Sequence, residues 1–214
     1  MSNRSRAREL CADAVEDGRP TAWFETLYLE ADQGEASVPW DDQHPNPHLI
    51  DWLSIHPVSG RALDVGCGYG DNTSALVDAG LDVTAFDVSA TAVARASARN
   101  PTATFDVVEA PTLPADWHQA FDLVVEIYTW QTLPTALQAE VAASVARCVA
   151  PGGHLLIVAR GRDDDEPHGS MPWPLSRADL ANFDLDGLVI TDFHDFLDDE
   201  EPAVRRFVVT LERQ

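Results

Sequence analysis

Residues Ala62-Leu63-Asp64-Val65 run directly into Gly66-Cys67-Gly68-Tyr69-Gly70 and then into Asp71-Asn72-Thr73. A short apolar run, a glycine cluster and a group of polar helix starters read as a buried strand, a tight turn and the first turn of a helix. Alternate glycines remove the Cβ atoms that would hold a ligand away from the backbone. Asp64, just before the turn, puts a carboxylate where a cation or N–H donors would meet it, which points to an amine-bearing ligand.

The chain around this turn repeats the same alternation. β-rich runs over 62–65, 83–86, 103–107, 123–126 and 154–159 alternate with helical patterns over 73–79, 90–99 and 135–149. This predicts an α/β fold built on a parallel sheet with crossover helices. Farther on, 176–182 reads as a short helix. The runs over 188–196 and 204–211 have no helix between them, so they predict a terminal antiparallel pair. Upstream, 5–16 and 21–31 carry helical spacing interrupted by Gly18 and Pro20, and the proline-broken segment 36–48 cannot be regular helix. Helix is expected to resume at Pro47.

Charge narrows the partners. The 214 residues hold 14 cations, all arginine, against 36 carboxylates, a formal charge of −22. Such a chain repels a phosphate backbone, so nucleic acid is not an expected partner. No run approaches the ~18 apolar residues of a membrane span, and no membrane association is expected. The polar, Arg-rich start of the chain lacks the apolar core of a secretory signal, so a cytoplasmic location is the expectation. Cys11, Cys67 and Cys148 are odd in number and widely spaced, which argues against a disulfide framework or a zinc knuckle. Cys67 reads as a small residue filling the turn.

The glycine spacing separates two ligand classes. In a dinucleotide fingerprint the third glycine follows the second by three, whereas Gly70 follows Gly68 by two and Asp71 takes the expected place. A nicotinamide-dependent oxidoreductase is therefore the weaker reading. Asp87 ends the next strand, 17 residues after Gly70, about where a carboxylate meets a ribose diol in nucleotide-binding α/β proteins. Together these residues point to adenosine.

LDVGCGYG, FDVS, FDLVVEIYT and CVAPGGHLLIV, in that order across 61–160, resemble the class I S-adenosylmethionine-dependent methyltransferases. The resemblance implies a seven-stranded Rossmann-like methyltransferase sheet with a terminal antiparallel strand pair and S-adenosyl-L-methionine as cofactor. It also implies N-terminal helices and a lid segment over 1–60 and a cofactor-binding core over 61–214, within one compact domain. Residue by residue, Asp64 and the backbone of Gly66, Cys67 and Gly68 would hold the methionine portion, Asp87 the ribose hydroxyls and Val88 a face of adenine. Glu109-Ala110 stands where the family often has an acidic residue and alanine reading the adenine edge. Glu126, ending the fourth strand, is expected to face the cleft and meet the methionine ammonium.

The acceptor side is less specific, because acceptor pockets on this fold come from variable segments. Pro39-Trp40-Asp41 with Pro45-Asn46-Pro47 resembles the lid of thiopurine and halide/thiol methyltransferases. Glu126-Ile127-Tyr128-Thr129-Trp130, and Met171-Pro172-Trp173-Pro174 with Ser176, resemble further parts of the same enzymes. An aromatic wall suits a sulfonium, and Trp40, Tyr128, Trp130 and Trp173 are the candidates for it. Trp23, Trp52 and Trp117 read as packing. A thiolate or halide needs no base, whereas a phenol, alcohol or amine benefits from one, for which Asp41, His44, Tyr28 and Tyr128 are candidates. Each has a plainer role available, as a helix cap, an exposed ring or a packing residue. The groups Asp192, His194, Asp195 and Asp163–Glu166 with His168 lack ligand spacing and read as solvated faces, so no metal is expected. The expectation is methyl transfer to a small molecule by in-line displacement, in a monomer or homodimer. An O- or N-methyltransferase of secondary metabolism and a non-catalytic sensor of S-adenosylmethionine are the alternatives.

Overall fold

The computed structural model describes residues 3–183 and 187–214. Helices α1 (Asn3–Glu16), α2 (Ala22–Asp32) and α3 (Pro47–Ile55) precede the repeating units β1 (Arg61–Val65), α4 (Asp71–Asp78), β2 (Asp82–Asp87), α5 (Ala90–Arg99) and β3 (Thr104–Val107). Then follow β4 (Phe121–Ile127), α6 (Thr135–Ala146), β5 (Val149–Arg160), the single turn α7 (Arg177–Leu180), β6 (Leu188–Leu197) and β7 (Arg205–Arg213). Local chemistry sets several boundaries. Asn46 accepts from the His48 N–H with Pro47 in the first turn, and Ser89 accepts from the Ala92 N–H to start α5. Ser176 and Asp179 form a reciprocal capping box on α7.

The strands form one seven-stranded sheet in the order β3-β2-β1-β4-β5-β7-β6. Strands β1 to β5 are parallel, and β7 inserts antiparallel between β5 and β6. The expected fold class, including the antiparallel β6–β7 pair, is therefore observed. Strand β5 starts earlier than its apolar run indicates, at Val149, because Val149 already pairs with Phe121 of β4 before a register shift over 150–153, after which His154 pairs with Leu123.

Period-two alternation divides the core into two layers. On one face Leu63, Val65, Val124, Leu155 and Ile157 pack against Trp23 and Leu27 of α2 and Val141 and Val145 of α6. On the other, Ala62, Leu123, Val125 and Leu156 pack against Leu49 and Trp52 of α3 and Leu76 of α4. Burial on both faces explains why β1 and β4 read as continuous apolar runs. The carboxyl ends of β1, β2 and β4 converge under α2 and the segment that joins α2 to α3. No helix among the described residues is long and apolar enough to cross a membrane.

Candidate functional site

A cleft opens at those carboxyl ends, with about 1140 Å³ of space in and in front of it, open solvent included. Its floor is the glycine turn, Gly66 to Tyr69, with Asp87 and Val88 after β2, Glu109 and Ala110 after β3, and Tyr128 and Thr129 after β4. Its roof comes from α2, through Phe24 and Tyr28, and from Trp40, Asp41 and His44 in the proline-broken segment. Asp41, Asp42, Asp71, Asp87 and Glu109 line this cleft, and no arginine or lysine does.

The turn is pinned from below. The Cys67 N–H donates to the Phe86 carbonyl at 2.9 Å, and the Gly68 N–H donates to Asp87 Oδ2 at 3.0 Å. Asp87 Oδ1 accepts from the Ser89 N–H at 2.9 Å, so one carboxylate joins the turn after β1 to the turn after β2. Burial pushes the Asp87 carboxyl up to about 6, although backbone N–H groups of Ser89, Gly68 and Val88 oppose that shift. At Gly68 the backbone is left-handed (φ 53°), and a Cβ there would stand 3.0 Å from the Tyr28 hydroxyl, so this residue keeps the cleft open where the roof comes closest.

Of the expected cofactor contacts, Gly66, Cys67, Gly68, Asp87, Val88, Glu109 and Ala110 line the cleft. Asp64 does not. It shares a face with Ala62 and is 2% exposed, and its Oδ2 accepts from Thr73 Oγ1 at 2.6 Å, so it anchors the first turn of α4 beneath the loop. Burial raises its carboxyl to about 7. Glu126 is also turned away, because an even step along β4 from Val124 puts it on the core face. Its Oε1 accepts from the N–H groups of Thr129 at 2.9 Å and Trp130 at 2.7 Å, holding the turn that follows β4. Its Oε2 is buried without a hydrogen-bond partner, and desolvation lifts the carboxyl to about 7. Glu109 lines the cleft but is held by the roof, since Thr21 Oγ1 donates to its Oε1 at 2.7 Å.

The candidate aromatic wall divides. Trp40 lines the cleft, and its indole N–H donates to the Tyr28 hydroxyl at 2.8 Å. Tyr128 also lines it, with a left-handed backbone (φ 62°) that is uncommon for a non-glycine residue and aims the ring from the end of β4. Trp130 instead is 1% exposed, stacks edgewise on Phe183 and donates to the Gln138 carbonyl at 2.8 Å, making it a core residue. Trp173 does not line this cleft and packs against the core, with its backbone N–H donating to the Gln131 carbonyl at 2.7 Å. Trp23, Trp52 and Trp117 are buried as packing residues.

The four candidate bases all line the cleft. Tyr28 is fully enclosed, and burial together with Asp87 holds its hydroxyl protonated. Tyr128 is raised by burial and is hydrogen-bonded by Asn46. Asp41 is raised by partial burial and by Asp71, and His44 is exposed with Nδ1 3.1 Å from the Pro45 carbonyl. Away from the cleft, Asp195 is taken up by Arg205 and His194 by Asp192.

Two positioning contacts escaped the sequence reading. Glu25 of α2 accepts from Ser89 Oγ at 2.6 Å and Thr91 Oγ1 at 2.7 Å, fastening the roof to the start of α5. The Asn46 N–H donates to Asn72 Oδ1 at 2.9 Å, fastening the other end of the roof to α4. Neither left a local signal, because each joins residues far apart in sequence.

The cleft fits S-adenosylmethionine on its own chemistry. Asp71 is paired with Arg99, but Asp41, Asp42, Asp87 and Glu109 form no ion pair among the described residues and suit a ligand carrying a sulfonium and an ammonium, and the Asp87 carboxylate at the end of β2 suits a ribose diol.

Comparison with known proteins bears on the same segment. Residues 62–153 match the family model described as a methyltransferase domain. An uncharacterized methyltransferase of Mycobacterium tuberculosis is 33% identical over 118 residues, covering 55% of this chain and 46% of that protein. The ubiquinone biosynthesis O-methyltransferase of Ralstonia nicotianae is 31% identical over 150 residues, 61% of this chain and 62% of that one. The chain thus spans about half the length of the mycobacterial relative and under two thirds of the other. In fold it is similar to the N-methyltransferase NodS of Bradyrhizobium japonicum, solved with S-adenosylhomocysteine. The TM-score is 0.68 at 18% identity, over 88% of this chain and 98% of that one. Residues 62–153 are thus similar in sequence to a methyltransferase domain, and the seven-stranded sheet that contains them has the fold of the methyltransferase structure it resembles.

Proposed function

We propose that the chain transfers the methyl group of S-adenosylmethionine to a small acceptor, with 1–60 serving as lid and 61–214 as cofactor-binding core. The observation that carries this is the cleft set on the glycine turn, lined by five carboxylates of which Asp71 alone is ion-paired among the described residues, with Arg99. Gly66, Cys67 and Gly68 would bear the methionine portion, Asp87 the ribose, and Val88 with Ala110 the adenine. When bound, the cofactor supplies an electrophilic methyl: the acceptor's lone pair bonds to its carbon as the sulfur–carbon bond breaks with its electrons on sulfur.

The protein's part is positioning and exclusion of water. Trp40 and Tyr28 cover the cleft as a bonded pair, and Tyr128 presents a ring at the end of β4. The roof leaves weak bases. Tyr28 is held protonated, and Asp41 and His44 lie toward the mouth. This favours an acceptor that arrives as an anion, and a thiol fits that requirement better than an alcohol. The resemblance of the lid segments to thiopurine and halide/thiol enzymes supports the same choice.

The test is calorimetric titration with S-adenosylmethionine and S-adenosylhomocysteine, on wild-type protein and on folded Asp87→Ala. The expected result is one site per chain, weakened at least tenfold by the substitution. Absence of binding to folded wild-type protein would overturn the reading. A non-catalytic sensor would bind both ligands yet methylate none of a panel of thiols, phenols and amines.

A further inference from the structure

A second cavity adjoins the first, with about 720 Å³ of space in and in front of it, open solvent included. The two share Trp40, Asp42, Tyr128 and Thr132. At its rim the Arg8 Nε–H donates to the Met171 carbonyl at 2.7 Å, joining α1 to the segment before α7. Tyr128, common to both cavities, is fixed along its length. Its N–H donates to the Val158 carbonyl at 2.9 Å, its backbone is left-handed (φ 62°), and the Arg206 guanidinium lies 5.2 Å from its ring centre, itself paired with Asp198 at 2.7 Å and with Glu200.

Asn46 sets the far end, at the hydroxyl. The Asn46 Oδ1 accepts from the His48 N–H at 3.0 Å to cap α3, and the Asn46 backbone is tied to Asn72. With Oδ1 turned to the helix, Asn46 presents its amide nitrogen to the phenol, and an amide nitrogen only donates. Burial keeps the Tyr128 proton in place, against a downward pull from Arg206 and from the Asn46 bond, and a downward pull is what a donor to the phenol oxygen exerts. The Tyr128 oxygen therefore accepts from Asn46, and its own O–H is left for a molecule in the space that the two cavities share.

What that O–H can hold depends on the attacking atom. An anionic sulfur or oxygen has several lone pairs, so one accepts from Tyr128 while another meets the methyl carbon. A neutral amine has a single lone pair, and a hydrogen bond to it occupies the pair that must attack. We propose that Tyr128 donates to the attacking atom of the acceptor, and that this atom is an anionic sulfur or oxygen, not a nitrogen. The inference rests on the methyl-transfer reading above and adds the class of nucleophile. Tyr128 keeps its proton throughout, the reverse of a base. The lone pair on the acceptor bonds to carbon, the old carbon–sulfur bond breaks with its electrons on sulfur, and anion and sulfonium become two uncharged centres. Asn46 is a positioning residue that acts through the phenol. A charge-assisted hydrogen bond is strongest to the anion and weakens as that charge is neutralised, so it shows in binding more than in turnover.

The experiment uses the full chain and begins with S-adenosylhomocysteine affinity. Failure of wild-type protein to bind would overturn the cofactor reading. Tyr128→Phe keeps the ring and should still bind; loss of binding there alone would give the hydroxyl to the cofactor and overturn the proposal. 4-Methylbenzenethiol, 4-methylphenol and 4-methylaniline, alike except in the attacking atom, are then compared as ligands of the loaded protein and as acceptors. Tyr128→Phe should weaken thiol and phenol binding and raise their KM at least tenfold, with kcat changed less, and leave the aniline unchanged. Bound 4-nitrophenol, whose anion absorbs visibly, gives a spectroscopic reading: its apparent pKa should rise by about 1 in Tyr128→Phe. Asn46→Asp keeps a helix cap but offers the phenol an acceptor in place of a donor, so it should reproduce Tyr128→Phe. Added to Tyr128→Phe it should change little more, which separates action through the phenol from repulsion by the new charge. An equal loss for the aniline, an unmoved 4-nitrophenol pKa, an Asn46→Asp effect that persists without the phenol, or no binding of the thiol and the phenol would overturn the proposal.

Discussion

Thr129 fills the space in front of Gly66: its Oγ1 donates to the Val65 carbonyl at 3.0 Å, and its side chain would stand 2.5 Å from a Cβ on Gly66. The missing Cβ of Gly66 therefore makes room for the turn after β4, while its backbone lines the cleft. Gly68, two residues on, faces the tip of the Tyr28 side chain and, at ordinary van der Waals distance, the Trp40 indole.

Gly66→Ala and Gly68→Ala should separate accordingly. Both place a Cβ on a left-handed backbone, at a cost of about 1–2 kcal/mol. Gly66→Ala must also displace Thr129, adding about 1–3 kcal/mol of overpacking, so its denaturant midpoint should fall clearly below that of Gly68→Ala. Gly68→Ala should instead keep most of its stability and lose S-adenosylhomocysteine affinity at least tenfold in calorimetry. Equal midpoints for the two variants would contradict this division.

Glu126 governs a pH dependence. Its folded carboxyl, raised by desolvation from an ordinary 4.5 to about 7, binds a proton that the unfolded chain has released. Its contribution is full below about pH 4.5 and is lost as pH rises toward 7, on the order of 3 kcal/mol at roughly 1.4 kcal/mol per pH unit. Glu126→Gln keeps an acceptor at Oε1 and does not titrate. Urea titrations from pH 5 to 8 should show a smaller loss of stability across that window than in wild-type protein. Parallel curves would show that the carboxyl stays ionised throughout.

Glu25 ties the roof to the sheet. Desolvation opposes its ionisation, yet the hydrogen bonds from Ser89 and Thr91 prevail and hold it below the ordinary value, so this latch strengthens above the acid range and weakens as pH falls. Glu25→Ala should cost about 1–3 kcal/mol, the range for hydrogen bonds to a charged group. Hydrogen exchange should accelerate in Ala22–Asp32 ahead of the sheet, and S-adenosylhomocysteine affinity should drop several-fold. Unchanged exchange in that helix would contradict the latch.

How legible was this in the sequence? The alternation of strands and helices, the glycine turn and Asp87 could be read directly, because each follows from local pattern and fixed spacing. Helices at 90–99 and from Pro47 fall where cap chemistry puts them. Position along a strand also told that Asp64 and Glu126 sit near the cleft. It did not tell which way they point, and both turn out to brace loops from within. Trp130 and Trp173 were mistaken for wall residues for a related reason, since an indole after a strand packs inward or outward according to helices far away in sequence. Glu25 and Arg8 act across 64 and 163 residues, distances at which periodicity carries no information.

Arg162 organises the loop between β5 and α7. It is 6% exposed and donates to the Pro174, Asp163 and Glu166 carbonyls at 3.0, 2.9 and 2.7 Å, and to Asp179 at 2.8 Å. Arg162→Ala takes the arginine away from those carbonyls and leaves the Asp179 charge with the Ser176 N–H but without its guanidinium partner, and should cost about 3–5 kcal/mol. Limited proteolysis should then cut between 163 and 170 faster than elsewhere. Protection equal to wild type would mean that the loop is held by other means.

The position of β7 between β5 and β6 also governs assembly. β6 leaves the ribosome before the strand that joins it to the sheet, and it has no other neighbour to pair with. Until Arg205–Arg213 has followed, β5 remains an open edge and β6 a loose ribbon carrying exposed Val189, Ile190 and Leu197. A nascent chain at that stage is a template for pairing with its neighbours on a polysome. The high negative charge of the chain is then useful before the fold is complete, because it keeps such intermediates apart.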